Sequence, residues 1–244
     1  MAWYAYCITD HGMFEGGLTA RRPVPLDGLH GINGAQVQGY PSGEFAVIVS
    51  EYARRAPLDQ RALFEHARVI GECFRSSTVL PFRFGTIFDD EGALRRAVRS
   101  NRRTFGDSVA ALRGKSEMHL KLTVHEDPLP RTYAFPLEVS AGNDYLADLR
   151  QRAAREREAQ TKARALSIKV HKLFGPLQEE VCCKKVESGG FSIDMAHLID
   201  TRAVPQYQNR CSAAARQLKG CALAITGPWP PYHFMPGKLR TINC

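Results

Sequence analysis

Thr78-Val79-Leu80-Pro81-Phe82-Arg83-Phe84-Gly85-Thr86-Ile87-Phe88 is the stretch on which the reading of this chain turns. It is rich in β-branched and aromatic residues and has apolar helical periodicity on either side, which predicts a buried strand between two helices. Strict alternation puts Leu80, Phe82, Phe84 and Phe88 on one face and Val79, Pro81, Arg83, Gly85 and Ile87 on the other. Arg83 is then the anomaly, because a guanidinium on an apolar strand needs a carboxylate, carbonyls or a wet edge. Glu117, on a strand expected nearby, is the predicted partner. Pro81 cannot donate to a ladder and argues for an edge or an irregularity, and Gly85 marks a bulge or a close backbone approach.

On the amino-terminal side, residues 3–8 and Phe45-Ala46-Val47-Ile48-Val49 read as strands, separated by a Gly- and Pro-containing loop with a short strand near residues 29–33. Asp59 precedes a helix to about Phe74, with Leu63, Ala67, Ile70 and Phe74 as the stripe that meets a sheet and His66 beside it. On the carboxyl-terminal side, Asp89-Asp90-Glu91 opens a second helix whose buried face is Leu94, Val98, Asn101, Phe105, Val109 and Leu112. Glu117 to His125 alternates strictly, with Met118, Leu120, Leu122 and Val124 turned to the core.

Prolines 128, 130 and 136 then suggest a boundary. Residues 143–181 form one long helical pattern whose middle, Arg150 to Arg164, is almost wholly charged or small. That middle is either a solvated helix held by ion pairs such as Glu158 with Lys162, or a broken hairpin. A strand near residues 181–186, the strand Phe191–Asp200, a helix opened by Pro205 and a last strand from Cys221 complete the pattern. The expected fold class is α+β in two domains. Residues 1–127 form an N-terminal antiparallel sheet with helices on one face, 128–140 a linker, and 141–244 a C-terminal ferredoxin-like domain with a long helix.

With 44% hydrophobic and 24% charged residues in 244, the composition is that of a globular chain, and no apolar run is long enough to span a bilayer. The first residues read as a strand rather than a signal peptide, so a cytoplasmic protein with no membrane partner is expected. Seven cysteines without CxxC or HxxxH spacing imply reduced thiols, no metal and no cofactor. The net charge of +8 is spread along helix faces, and no nucleic-acid motif accompanies it. A catalytic alternative would place Arg83, Glu117, His119 and His125 around a cleft, but no nucleophile elbow or phosphate loop supports it.

Thr226-Gly227-Pro228-Trp229-Pro230-Pro231-Tyr232-His233-Phe234 is the second unusual stretch. Its prolines stiffen an extended backbone that carries large aromatic rings. Two readings stand. Trp229 and Tyr232 plug the domain's own core, or they present a rigid apolar contact to a partner.

Val79-Leu80-Pro81-Phe82-Arg83-Phe84-Gly85-Thr86 resembles the VLPxRFGT signature of the gas vesicle GvpF/GvpL family, and the 226–234 stretch resembles the TGPWPPYxF motif that closes it. His233 departs from the small polar residue usual at its place. The resemblance implies a non-enzymatic accessory protein, a minor component of gas vesicles that binds their hydrophobic shell protein and assists nucleation of assembly. Other vesicle accessory proteins are implied as further partners, and the vesicle as its location. It makes Pro81, Arg83, Phe84 and Gly85 candidates for fold-defining residues, joined by Glu117 as the expected partner of Arg83, and Trp229, Tyr232 and Phe234 candidates for partner binding. The alternative is the same fold serving another cytoplasmic protein-binding role.

Overall fold

The structure, a computed structural model, describes residues 1–10, 24–42, 45–53, 57–124, 141–175, 177, 180–187, 191–218 and 220–235. It consists of two compact units, one formed by Met1–Glu117 with the chain from Pro228 onward, the other by Met118–Gly227.

The first unit contains β1 (Ala2–Asp10), β2 (Val24–His30), β3 (Gln36–Ser42), β4 (Phe45–Tyr52), α1 (Gln60–Ser76), β5 (Val79–Pro81), β6 (Ile87–Phe88) and α2 (Glu91–Leu112). Its sheet runs β2-β3-β4-β1-β5, with β6 also paired to β1. Strand β1 pairs antiparallel with β4, β5 and β6. Every residue of β1 from Ala2 to Thr9 is buried, so both faces of the strand are covered.

Helix α1 covers one face: its Ala62, Val69, Ile70 and Cys73 share a core cluster with Tyr4, Tyr6, Cys7, Val37 and Ile48. A bulge at Tyr6, where Ala5 faces Val49 but Cys7 faces Ile48, lets Tyr6 and Cys7 both join that cluster. Helix α2 covers the other face, burying Leu94, Val98, Phe105, Val109 and Leu112. Tyr40, three residues from Val37 on β3 and therefore turned the opposite way, donates its hydroxyl to Glu91 at 2.8 Å.

The helices thus take opposite faces, whereas one shared face was expected. The reason is legible in hindsight, because β1 and β4 carry apolar residues at successive positions, as strands covered on both sides do. The buried face of α2 is as anticipated except at Asn101, which is half-buried and donates its side-chain amide to the Ala97 carbonyl at 2.8 Å. That of α1 is rotated: Ala62, His66, Val69, Ile70 and Cys73 point inward, leaving Leu63 at 45% exposure.

The stretch 78–88 is not one strand. It forms two short ones, β5 and β6, which pair with opposite ends of β1 and are separated by a turn. Strand β5 lies at the sheet edge, where Pro81 costs no interior ladder bond.

The second unit is built from β7 (Lys115–Val124), α3 (Ala141–Phe174), β8 (Glu180–Glu187), β9 (Phe191–Asp200), α4 (Val204–Gln217) and β10 (Cys221–Trp229). The sheet order β10-β7-β9-β8 with this chain order is the split βαβ, ferredoxin-like arrangement. Its first strand is β7, which sequence reading placed in the amino-terminal domain. Met118, Leu120 and Leu122 pack with Val170, Phe174, Ile193, Met195 and Tyr207, and that burial assigns the strand. The division therefore falls at Glu117 and again at Gly227, and the linker expected at 128–140 lies outside the described residues. Helix α3 is continuous over 34 residues, and Glu158 and Lys162 pair at 2.8 Å on its charged stretch. The hairpin alternative is not adopted.

Candidate functional site

The 82–86 turn is fixed to the first unit by backbone bonds. Phe82 donates its N–H to the Tyr6 carbonyl at 2.9 Å, and Ala5 donates to the Thr86 carbonyl at 3.0 Å. Thr86 closes the turn by donating its N–H to the Arg83 carbonyl at 3.1 Å and its hydroxyl to the same oxygen at 2.8 Å. Gly85, the third residue of this turn, has φ +87°, a value that a type II turn requires and that side-chain-bearing residues rarely adopt. A Cβ there would meet only Leu58 Cδ1 at 3.6 Å, so conformation rather than space selects glycine.

Behind the turn stands a polar chain within an aromatic cluster. The Gly85 N–H donates to the Tyr4 hydroxyl at 3.0 Å, and that hydroxyl lies 3.0 Å from His66 Nδ1. The Phe82 backbone accepts from the histidine as well, and a carbonyl can only accept. Neutral His66 therefore carries its proton toward Phe82 and accepts at Nδ1 from Tyr4. Burial lowers its pKa to about 4, partly offset by the Phe82 bond. Phe84 packs edge-on against the imidazole, with ring centres 5.7 Å apart.

In front of this cluster lies a cavity of about 400 Å³. Helix α1 contributes Leu63, His66, Ala67 and Gly71 to its wall. The first signature contributes Pro81, Phe82, Arg83 and Phe84, and the second contributes Trp229, Pro230 and Tyr232, with Met235 beyond it. The two stretches singled out in the sequence thus line one predominantly apolar pocket. Trp229 and Tyr232 are 46% and 39% exposed at its margin, which combines the two readings of the motif: part wall, part surface. The surroundings of the Tyr232 phenol are nonetheless dry enough that burial, followed by the nearby Cys7 and Glu117, pushes its pKa up to about 12. Phe234, the third residue expected to meet a partner, is buried at 9%.

Glu117 is fully buried and clamps the second signature. Its carboxylate accepts from the His233 backbone N–H at 2.8 Å and from His233 Nδ1 at 2.7 Å. The expected pairing with Arg83 is replaced by this one. Arg83 lies on the turn and is exposed, where water pays for its charge. His119 sits on β7 in the second unit, and His125 lies outside the described residues. Sequence reasoning missed Leu63, Ala67, Gly71 and Met235 as wall residues. The available signal was that α1 carries more apolar residues, Leu63 and Phe64 included, than one buried stripe accommodates.

The chain is thus an α+β protein with two sheets, in which both signatures line one predominantly apolar pocket. The family model "Gas vesicle synthesis protein GvpL/GvpF" matches residues 2–236, and the chain belongs to that family. It is 24% identical to "Gas vesicle protein L" of Streptomyces sp. (strain CB03234), over 95% of this chain and 91% of the relative. The fold is similar to the crystal structure of the gas vesicle protein GvpF from Anabaena sp. PCC7120, with TM-score 0.74, 15% identity and coverage of 96% and 98% of the two chains. It is also similar to that of GvpF from Microcystis aeruginosa, with TM-score 0.69, 17% identity and coverage of 96% and 99%. Among the described residues no helix is long and apolar enough to cross a membrane.

Proposed function

We propose that this protein is a non-catalytic accessory factor of gas vesicles that acts in the cytoplasm and at the vesicle, where it holds apolar segments of the main shell protein during nucleation and assembly. The observation that carries this reading is the convergence of the two family signatures on the margin and wall of one apolar pocket. A subunit that exposes apolar surface before assembly loses solvent-exposed area when it docks there, at roughly 25 cal/mol per Å² removed from water. The groups most suited to chemistry have other duties. His66 is neutral and committed to Tyr4 and Phe82, and Glu117 is committed to His233. Other vesicle accessory proteins are proposed partners on the strength of family membership.

The test is co-purification of the full chain with the main shell protein, comparing wild type with Trp229→Ala. Trp229 is half exposed, so its truncation leaves the unit folded. The expected outcome is retention by wild type and at least tenfold loss in the variant, corresponding to about 1.4 kcal/mol. A folded wild type that retains no shell protein contradicts the proposal.

A further inference from the structure

Resting on the reading of the pocket as the shell-protein contact, we infer that it selects a segment in which an aliphatic or aromatic side chain lies close to a carboxylate. The apolar group enters the cavity and the carboxylate pairs with Arg83 at its rim.

Three observations specify this ligand. The polar groups behind the pocket wall already satisfy one another, since the Gly85 N–H, the Tyr4 hydroxyl, the His66 imidazole and the Phe82 backbone form one chain. The part of a ligand that packs against that wall is therefore apolar, and polar contact is left to the margin, where Trp229, Tyr232 and Arg83 stand. Second, Arg83 is the one formally charged side chain in the wall, it is exposed, and among the described residues no carboxylate forms an ion pair with it. The rim thus complements an anion through a planar guanidinium suited to bidentate carboxylate contact.

Third, α1 also exposes Phe64, at 65%, next in sequence to the wall residue Leu63 at 45%. A small carboxylate such as a fatty acid would occupy the cavity and leave Phe64 in water. A polypeptide segment covers both, and this favours the protein ligand.

The experiment uses the full chain and overlapping peptides spanning the main shell protein. The reporter is the emission of Trp229, one of two tryptophans in the chain; the other, Trp3, is buried at 8%. The expected result is a blue shift with peptides that place a carboxylate near an apolar residue, absent in Trp229→Phe. Arg83→Gln should weaken that binding about fivefold, an effect in the range of exposed ion pairs. Arg83→Glu should weaken it further and recover when the peptide carboxylate is exchanged for lysine. Since Arg83 is exposed, these variants should melt as wild type does.

If Arg83→Gln and Arg83→Glu bind the peptides as tightly as wild type, the carboxylate pairing is wrong while the shell-protein reading stands. If sodium decanoate shifts Trp229 and no peptide does, the occupant is a small carboxylate and the inference is overturned. If neither peptides nor intact shell protein bind, the proposed function falls and takes the inference with it.

Discussion

His66 shows how far a residue's chemistry depends on partners that lie elsewhere in the chain. Its neighbours on α1 mark it as a histidine beside an apolar stripe, but its two hydrogen-bond partners come from β1 and from the turn after β5. Burial holds its pKa at about 4, against 6.5 for an ordinary histidine. The unfolded chain therefore takes up a proton below pH 6.5 that the folded chain refuses until about pH 4. Stability at His66 is constant above this window and falls as the pH drops through it, by about 1.4 kcal/mol per unit at full slope. Urea unfolding from pH 7 to pH 4 should show this decline, and His66→Gln, which keeps a donor and an acceptor, should reduce the proton uptake on unfolding by about one. An unchanged slope in His66→Gln would show that His66 does not set it. His197, buried against Tyr207 in the second unit and likewise lowered to about 4, supplies an independent contribution that the variant leaves in place. Arg83 and Glu117 teach the complementary lesson. Arg83 was visible as a charge in apolar surroundings, but pairing it with Glu117 required a regular strand that Gly85 interrupts and ignored His233, distant in sequence.

At the scale of the element, α1 has two overlapping apolar stripes, one through Leu63 and Ala67, the other through Ala62, Val69 and Cys73, with Ile70 common to both. A one-residue rotation of about 100° separates them, and amphipathic periodicity alone does not choose. The sheet takes the second stripe, and the first becomes pocket wall and surface. Ile70→Ala should therefore cost about 2–4 kcal/mol by leaving a cavity in the core. Leu63→Ser should cost much less, about 0.5 kcal/mol, since nearly half of Leu63 is in solvent and the rest lines an open pocket. Chemical denaturation of both variants separates the stripes, and a Leu63→Ser loss as large as that of Ile70→Ala would reverse their assignment. The α2 face, β9 and the Pro205 start of α4 were all legible, because each rests on periodicity or a cap within its own span, whereas the charged middle of α3 left helix and hairpin open. The break between β5 and β6 was marked by Pro81 and Gly85, but a propensity reading of the whole run overrode both.

For the whole molecule, the order of elements in the second unit was readable, whereas the allegiance of β7 was not. A strand that alternates cleanly announces one buried face without saying which sheet it joins, and its core partners on α3, β9 and α4 all come later in the chain. The convergence of the 79–86 and 226–234 stretches was equally hidden, since nothing in either stretch encodes its distance from the other. Yet the account of function rests on that convergence. The measurement that tests it most directly is site-specific photo-crosslinking in cells that make the shell protein, with the photoreactive residue at Leu63 beside the pocket or at Arg99 on the exposed side of α2. The account predicts a covalent adduct with the shell protein from position 63 and none from position 99. Adducts from position 99 alone, or none from 63 while the two proteins still co-purify, would place the contact elsewhere and contradict it.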